Sequence, residues 1–212
     1  MSAQFEILEA GLSSRLETSG YRLMLPGGIS MVSPGPGITP GAGDIVLKQN
    51  LSFGTGHHPT TELSIRLLRE AFTVADIKAV FDLGTGSGIL ALYAAKLGAS
   101  RILAVDIDPR ACKEALEAVR TNDIGHRVFV VQGSIEAARP GVFDLVLANL
   151  TIGTLRTLAR EIPGILRNPG FAVISGFTTG QVDQILRYIG TTEVIKNINQ
   201  EGWAAVLIRT TR

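Results

Sequence analysis

Val80-Phe81-Asp82-Leu83-Gly84-Thr85-Gly86-Ser87-Gly88-Ile89-Leu90 decides the fold. An apolar run ends in an acid, glycines follow at alternate positions, and an apolar-periodic segment (Ile89, Leu92, Tyr93, Leu97) begins. The pattern reads as a buried strand, a tight turn and a helix opening at Ser87. Glycine suits such a turn because it accepts φ > 0 and, lacking Cβ, lets a ligand approach the backbone. The helix start offers free N–H groups and a positive dipole end to a bound anion or carboxylate. Taken alone, the motif also fits an ordinary strand-to-helix turn rich in glycine, so the neighbouring sequence has to decide.

Downstream the chain alternates regularly. Ile102-Leu103-Ala104-Val105-Asp106 is a strand ending in an acid, followed by Ile107-Asp108-Pro109 and a helix carrying Ala111, Ala115, Leu116 and Val119. Val128-Phe129-Val130-Val131 and Phe143-Asp144-Leu145-Val146-Leu147-Ala148-Asn149 are the next strands. A helix over Leu155, Leu158, Ile162 and Leu166 follows, disturbed late by Pro163 and Gly164. Then come a strand at Phe171–Ser175 and a helix lined by Val182, Ile185, Leu186 and Ile189. Two strand-like runs, Glu193–Ile198 and Trp203–Ile208, flank Asn199-Gln200-Glu201-Gly202, which is hairpin chemistry. Strand–helix alternation predicts an α/β fold, a seven-stranded Rossmann-like sheet with helices on both faces. It is mostly parallel, and a C-terminal antiparallel hairpin inserts one reversed strand.

Upstream, residues 1–50 read as an N-terminal Gly/Pro-rich extension with short strands at Phe5–Leu8, Tyr21–Leu25 and Ile45–Leu47. Residues 51–212 form the main domain. Between Pro26 and Gly43 the density of glycine and proline predicts turns and loops. In Phe53-Gly54-Thr55-Gly56-His57-His58-Pro59-Thr60-Thr61 a helix should open near Pro59, with Leu63, Leu67 and Leu68 as its apolar face. For His57 and His58, local hydrogen bonds in a loop are expected rather than catalysis. No Cys, Asp or Glu stands at ligand spacing beside them, so no metal site is expected.

Composition narrows the classes. At 212 residues with 45% hydrophobic and 18% charged residues, the chain can bury a full core and is not of disordered type. A net charge of +1 supplies no global field toward nucleic acid or a membrane surface. Cys112 has no pairing partner and reads as a semi-buried helix residue rather than a nucleophile. Neither a spanning apolar run nor a signal-peptide pattern occurs, so a cytoplasmic location is expected.

In an open α/β sheet, ligands bind beyond the carboxyl ends of the strands. Asp82, Asp106 and Asn149 all stand at such ends. Asp106, about 20 residues past the glycine turn, is placed to accept hydrogen bonds from both hydroxyls of a ribose; Asp108 before Pro109 reads as a helix cap. The dinucleotide fingerprint needs a small residue where this chain has the bulky Ile89. Asp82, two residues before the first glycine, is positioned to orient the turn and face a cationic ammonium. S-adenosylmethionine therefore suits the turn better than a nicotinamide dinucleotide.

These segments, together with Gly133-Ser134-Ile135-Glu136-Ala137 and Glu201-Gly202-Trp203, resemble the PrmA family over roughly residues 45–212. Its members are seven-stranded S-adenosylmethionine-dependent methyltransferases that modify amino groups of a large-subunit ribosomal protein. The Phe53–Thr61 segment carries more of that resemblance than the widespread glycine turn. The resemblance implies that Thr61, Gly84, Asp106 and Asn149 touch the cofactor, with Phe53, Gly54 and Gly86 close by. It implies that Asn149 is the catalytic position, holding the acceptor amine through its side-chain oxygen; a strand-end turn residue is the alternative. Family members usually carry a separate N-terminal substrate-gripping domain, so the chain is expected to be a short form.

The expected function is N-methylation of protein amino groups. A small-molecule acceptor, or a non-catalytic cofactor-binding module, stays open. Nucleic-acid methylation is disfavoured, because Ala148-Asn149-Leu150-Thr151 lacks the Pro-Pro-aromatic that usually follows Asn in enzymes methylating base amines. Methylation multiplicity and oligomeric state are not legible.

Overall fold

The computed structural model describes residues 20–48, 58–190 and 192–211. The expected strand at Phe5–Leu8, and Phe53, Gly54 and His57, lie outside them. The described chain opens with a small sheet of β1 (Tyr21–Met24), β2 (Ser30–Ser33) and β3 (Ile45–Val46), in that order. Strand β2 lies inside the segment expected to be turns and loops. Ile29-Ser30-Met31-Val32-Ser33 is an apolar-centred run between the Gly27-Gly28 and Pro34 punctuation, and burial of Met31 and Val32, both 0% exposed, outweighs the local turn bias.

Helix α1 (Pro59–Val74) follows, then β4 (Ala79–Leu83), α2 (Ile89–Leu97), β5 (Arg101–Asp106), α3 (Pro109–Thr121), β6 (Val128–Gln132) and β7 (Phe143–Asn149). The chain ends with α4 (Ile152–Leu158), α5 (Ile162–Ile165), β8 (Leu166–Thr178), α6 (Val182–Ile189), β9 (Thr192–Gln200) and β10 (Trp203–Thr210). The seven strands of the main sheet run in the order β6-β5-β4-β7-β8-β10-β9. Pairings from β6 to β8 are parallel, and β10 alone is antiparallel to its neighbours on both sides. The hairpin is tighter than expected: only Glu201 and Gly202 separate β9 from β10, both at positive φ as a two-residue turn of this hand requires.

Alternation along the strands feeds two cores. Val80, Ile102, Leu145, Leu147, Val173 and Leu207 face α1, α2 and the small sheet, whose Leu25, Met31, Ile45 and Leu47 join that cluster. Phe81, Leu83, Val146, Ala148, Ile174 and Val206 face the other way, toward α4–α6. Two helix expectations need correction. Gly88, at φ 84, is the N-cap of α2, so Ser87 belongs to the turn rather than the helix. The long helix expected to reach Leu166 is two pieces, α4 and the single-turn α5, and Leu166 opens β8. Pro163 has no N–H to continue a ladder and is tolerated only in the first turn of a new helix, where it stands.

Asp144 ties the lower edge of the sheet. Its carboxylate accepts from Lys78 N at 2.9 Å and Ala79 N at 2.7 Å and pairs with Arg167 Nε at 2.7 Å. Its side chain is 7% exposed, against 46% for Arg167. Removing the buried carboxylate orphans two amides, so Asp144→Ala should cost about 2–4 kcal/mol in chemical denaturation. Arg167→Ala should cost less than about 1 kcal/mol, because its charge is half solvated. Equal losses would show that the ion pair, not the amide clamp, matters.

Candidate functional site

Three parallel strand ends, β4, β5 and β7, open onto one cavity of about 430 Å³. Thr61, Gly84, Gly86, Asp106 and Asn149 all line it. The glycine turn is pinned to the next strand, with Gly84 N and Thr85 N both donating to Val105 O at 2.9 Å. Gly84 has φ +74, and a Cβ there would stand 2.3 Å from Leu150 Cδ2. The turn is therefore bare backbone facing the cavity.

Asp106 holds that turn from the side. Its Oδ2 accepts from Gly86 N and its Oδ1 from Asp108 N, each at 3.0 Å. An ionised carboxylate has about four lone-pair sites. Among the described residues two are used here, which leaves two for hydroxyl donors in the cavity. Asp108 caps α3, accepting from Arg110 N at 2.8 Å, as its place before Pro109 predicts.

Asp82 sits behind the turn. It is 1% exposed, is not among the residues lining the cavity, and its Oδ2 accepts from Thr85 Oγ1 at 2.7 Å. Burial raises its pKa from 3.8 to about 6, against the lowering pull of Thr85 and the Ala91 amide, with the charge of Asp106 adding to the rise. Because the folded pKa lies above the unfolded one, the folded state gains a proton first as pH falls. The stabilising contribution is complete below about pH 4 and is lost as pH rises through 6. It amounts to about 2–3 kcal/mol. Asp82→Asn is expected to flatten this part of the stability–pH curve between pH 4 and 7, measured by denaturant midpoints against wild type. An unchanged slope would refute it.

On the opposite wall, Asn149 ends β7. Its Nδ2 donates to Thr61 Oγ1 at 3.4 Å, and its Oδ1 is buried with no hydrogen-bond partner among the described residues. Thr61 comes from the first turn of α1, whose N-cap is His58: the imidazole accepts from Thr60 N at 3.3 Å. His58 also lies edge-on to Trp203, with ring centroids 5.0 Å apart, and both line the cavity. The local hydrogen bonding expected of a loop histidine is thus a helix cap at the cavity wall.

Sequence reading missed Gly176. Across β8 and β10 the register runs Ala204 to Phe177 and then Ala205 to Ser175, leaving Gly176 as the extra residue of a bulge at φ +95. A Cβ there would fall 2.1 Å from Leu150 O. The bulge lets Leu150 sit against β8, with Leu150 N donating to Ser175 O at 3.1 Å. Among the described residues, no cluster of three or more His, Cys, Asp or Glu is placed to hold a metal, and no helix is long and apolar enough to cross a membrane.

A glycine turn and an acid at adjacent strand ends, in a parallel sheet closed by one reversed strand, define the class: the seven-stranded Rossmann-like fold of methyltransferases. The chain belongs to the PrmA family: the family model described as ribosomal protein L11 methyltransferase (PrmA) matches residues 39–211. A ribosomal protein L11 methyltransferase of Bradyrhizobium diazoefficiens is 36% identical over 178 residues, covering 81% of this chain and 60% of the relative. One of Pelobacter propionicus is 43% identical over 149 residues, covering 68% of this chain and 48% of the relative. The chain thus spans about half the length of the curated relatives it matches. Among solved structures, a ribosomal protein L11 methylase from Lactobacillus delbrueckii subsp. bulgaricus superposes with a TM-score of 0.77 at 28% identity, covering 89% of this chain and 97% of that one. A SAM-dependent methyltransferase from Aquifex aeolicus, at TM-score 0.57 and 17% identity, shares the fold.

Proposed function

We propose that the protein is an S-adenosylmethionine-dependent N-methyltransferase whose acceptors are amino groups of ribosomal protein L11, the substrate named for its relatives. The observation that carries this reading is the buried Oδ1 of Asn149, without a partner among the described residues and set across one cavity from the glycine turn and Asp106. A buried acceptor without a donor is costly, about 1–3 kcal/mol, and an incoming amine N–H would relieve it.

The residues present fit the cofactor. Asp106 keeps two lone-pair sites for ribose hydroxyls after bonding Gly86 and Asp108. The bare backbone at Gly84, and the N-terminal amides of α2 just beyond Gly88, suit an amino-acid carboxylate. When bound, S-adenosylmethionine supplies an electrophilic methyl group on a cationic sulfur. The chain's own contribution is positioning. Asn149 Oδ1 accepts one N–H of the amine and so aims its lone pair. Leu83, Ile89, Leu90, Leu150 and Leu158 on the walls exclude water and favour the neutral, nucleophilic amine over its ammonium form. Asp82 supports the turn through Thr85. By the same reading, Phe53 and Gly54 lie near the cofactor, and residues 1–50 are an extension of a main domain over 51–212.

Calorimetric titration with S-adenosylmethionine and with NADH, followed by mass spectrometry of recombinant ribosomal protein L11 incubated with the loaded enzyme, tests this. Binding of the former only, with methyl groups added to L11 amines, is expected. Binding without transfer to L11 would point to a small-molecule acceptor or a non-catalytic module, and a preference for NADH would overturn the cofactor.

A further inference from the structure

Among the described residues, one corner of the main sheet lacks a cover. Helices α4–α6 pack on the side of Phe81, Val146 and Ile174, but the connection from β6 to β7 supplies only a single 3₁₀ turn, Ile135–Ala137. The same side of β5 and β6 is left open. Val128 and Val130 point into the other core with Ile102 and Ala104. Alternation turns Phe129 and Val131 outward, where they are 55% and 42% exposed. Phe129 stands opposite Leu103 of β5, which is only partly buried beside it. An aromatic ring half in water among aliphatic neighbours is a stacking platform.

Unpaired cations ring this platform. Arg101 opens β5 and by alternation shares the side of Leu103, and Arg127 stands one residue before β6. Ile102 N donates to Arg127 O at 2.8 Å, which holds the two arginines at one end of the sheet. Arg127 Nη1 donates to Ala95 O at 3.4 Å, next to Lys96 in the last turn of α2. Arg139 follows Ala138, which packs against the open side. Lys96, Arg101 and Arg139 are exposed, and among the described residues none of these four cations forms an ion pair. Of the acids nearby, Glu136 is engaged by Ser134 N at 2.9 Å, and Asp123 lies in the turn before β6. The far edge of the sheet is the contrast. On β9, Glu193 pairs with Arg209 and Lys196 with Glu70, so its charges are neutralised.

We infer that this corner binds single-stranded RNA, with a base stacked on Phe129 and the phosphate backbone along Arg101, Arg127 and Lys96. Two chemistries meet here, and few partners offer both. The planar guanidinium fork matches phosphate oxygens, and every base has a π face for the ring. A second copy of the chain would bring like charges together. Lipid surfaces are entered by the apolar faces of helices, not by a pleated strand face. A duplex presents no unstacked base to Phe129. The chain's net charge of +1 does not oppose this, because cations act locally, within a screening length of about 10 Å. These cations stand at the amino ends of the strands and the cavity at their carboxyl ends, so RNA and cofactor do not compete. RNA is chosen over DNA because the acceptor proposed above is a ribosomal protein, and only that choice rests on the methyltransferase reading.

Fluorescence anisotropy of a labelled, unstructured RNA of about 16 nucleotides tests this on the full chain. Affinity should fall with salt at a log–log slope of about −2, as expected when about three phosphates of a single strand are neutralised. Phe129→Ala should weaken binding about tenfold without changing the slope. Arg101→Gln should weaken it and make the slope shallower by about 0.7. Neither side chain is buried, and an unchanged calorimetric Kd for S-adenosylmethionine is the control for folding. Phe129→Trp gives a second readout: its emission, above that of Trp203, should be quenched by the single strand and not by a duplex of the same sequence. Affinity indifferent to both Phe129→Ala and Arg101→Gln would overturn the inference, as would equal binding of the duplex. Adsorption to phosphatidylglycerol vesicles without binding of RNA would assign the face to lipid instead. A dimer in sedimentation that Phe129→Ala dissolves would assign it to a second copy. Tighter binding of the matching single-stranded DNA would overturn the choice of RNA. Absence of L11 methylation by wild type would sink the proposed function and leave the test of this face intact.

Discussion

Asp106→Ala is expected to weaken S-adenosylmethionine binding by roughly 1.5–3 kcal/mol, about ten- to a hundredfold or slightly more. Two losses combine. The first is a charged acceptor for the ribose hydroxyls, which the two unused lone-pair sites of the carboxylate supply. The second is the frame of the turn itself, since Gly86 N and Asp108 N each bond one carboxylate oxygen at 3.0 Å. Asp106→Asn separates them. An asparagine keeps one acceptor and its shape but gives up the charge and the second acceptor, so its Kd should fall between wild type and alanine. Thermal stability offers the control, because both backbone amides stay near the cavity and can be rehydrated. A modest shift in Tm with a large change in Kd is expected from Asp106→Ala. A large Tm loss with unchanged affinity would show that Asp106 serves the turn alone. Raising salt should alter the effect little, because the interaction is a short-range hydrogen bond rather than long-range attraction.

Much of this fold was legible because its signals are local. The run Val80–Leu83 ending at Gly84 needs only periodicity and punctuation to read as strand and turn, and Asp108-Pro109 announces a helix start by cap chemistry alone. What escaped depends on contacts distant in sequence. Strand β2 stands among glycines and prolines, and only burial against α1 and α2 makes Ser30–Ser33 a strand. Of the described residues the resemblance implied, Thr61, Gly84, Gly86, Asp106 and Asn149 gather on one cavity, whereas Asp82, read from its place before the glycine turn, lies behind it. The contact between Thr61 and Asn149 joins elements whose order in the sheet is not written in either segment. His58 looked like a loop residue because its partner, Trp203, lies at the far end of the chain. Gly176 carried no signal at all: a single glycine after Ile174-Ser175 reads as a strand end, and its bulge exists only because β10 returns antiparallel beside it.

That bulge makes Gly176→Ala the most damaging small substitution in the site. The added Cβ would lie 2.1 Å from Leu150 O, 2.7 Å from Leu150 C and 2.9 Å from Leu150 N. These are backbone atoms, which have no rotamer to escape into. The φ of +95° adds strain for any residue with a side chain. Overpacking and backbone strain together should cost about 2–4 kcal/mol, lowering Tm by about 4–16 °C for a chain of this size. Function should suffer more than stability. Leu150 directly follows Asn149, so relief of the clash moves the strand end that carries the amide. A displacement near 1 Å in a reacting geometry costs on the order of a hundredfold in rate. Gly84→Ala is the instructive comparison, because its new Cβ would meet the Leu150 Cδ2 methyl at 2.3 Å, the movable end of a side chain. The φ of +74 strains an alanine there too, but the Leu150 side chain can move aside, so beyond that stability loss Gly84→Ala should act mainly on cofactor affinity. Gly176→Ala should instead depress kcat about a hundredfold with a smaller change in Kd for S-adenosylmethionine. If both variants lost affinity and turnover in the same proportion, the bulge would be holding the glycine turn rather than Asn149, and the wall that positions the acceptor would have to be sought elsewhere in the cavity.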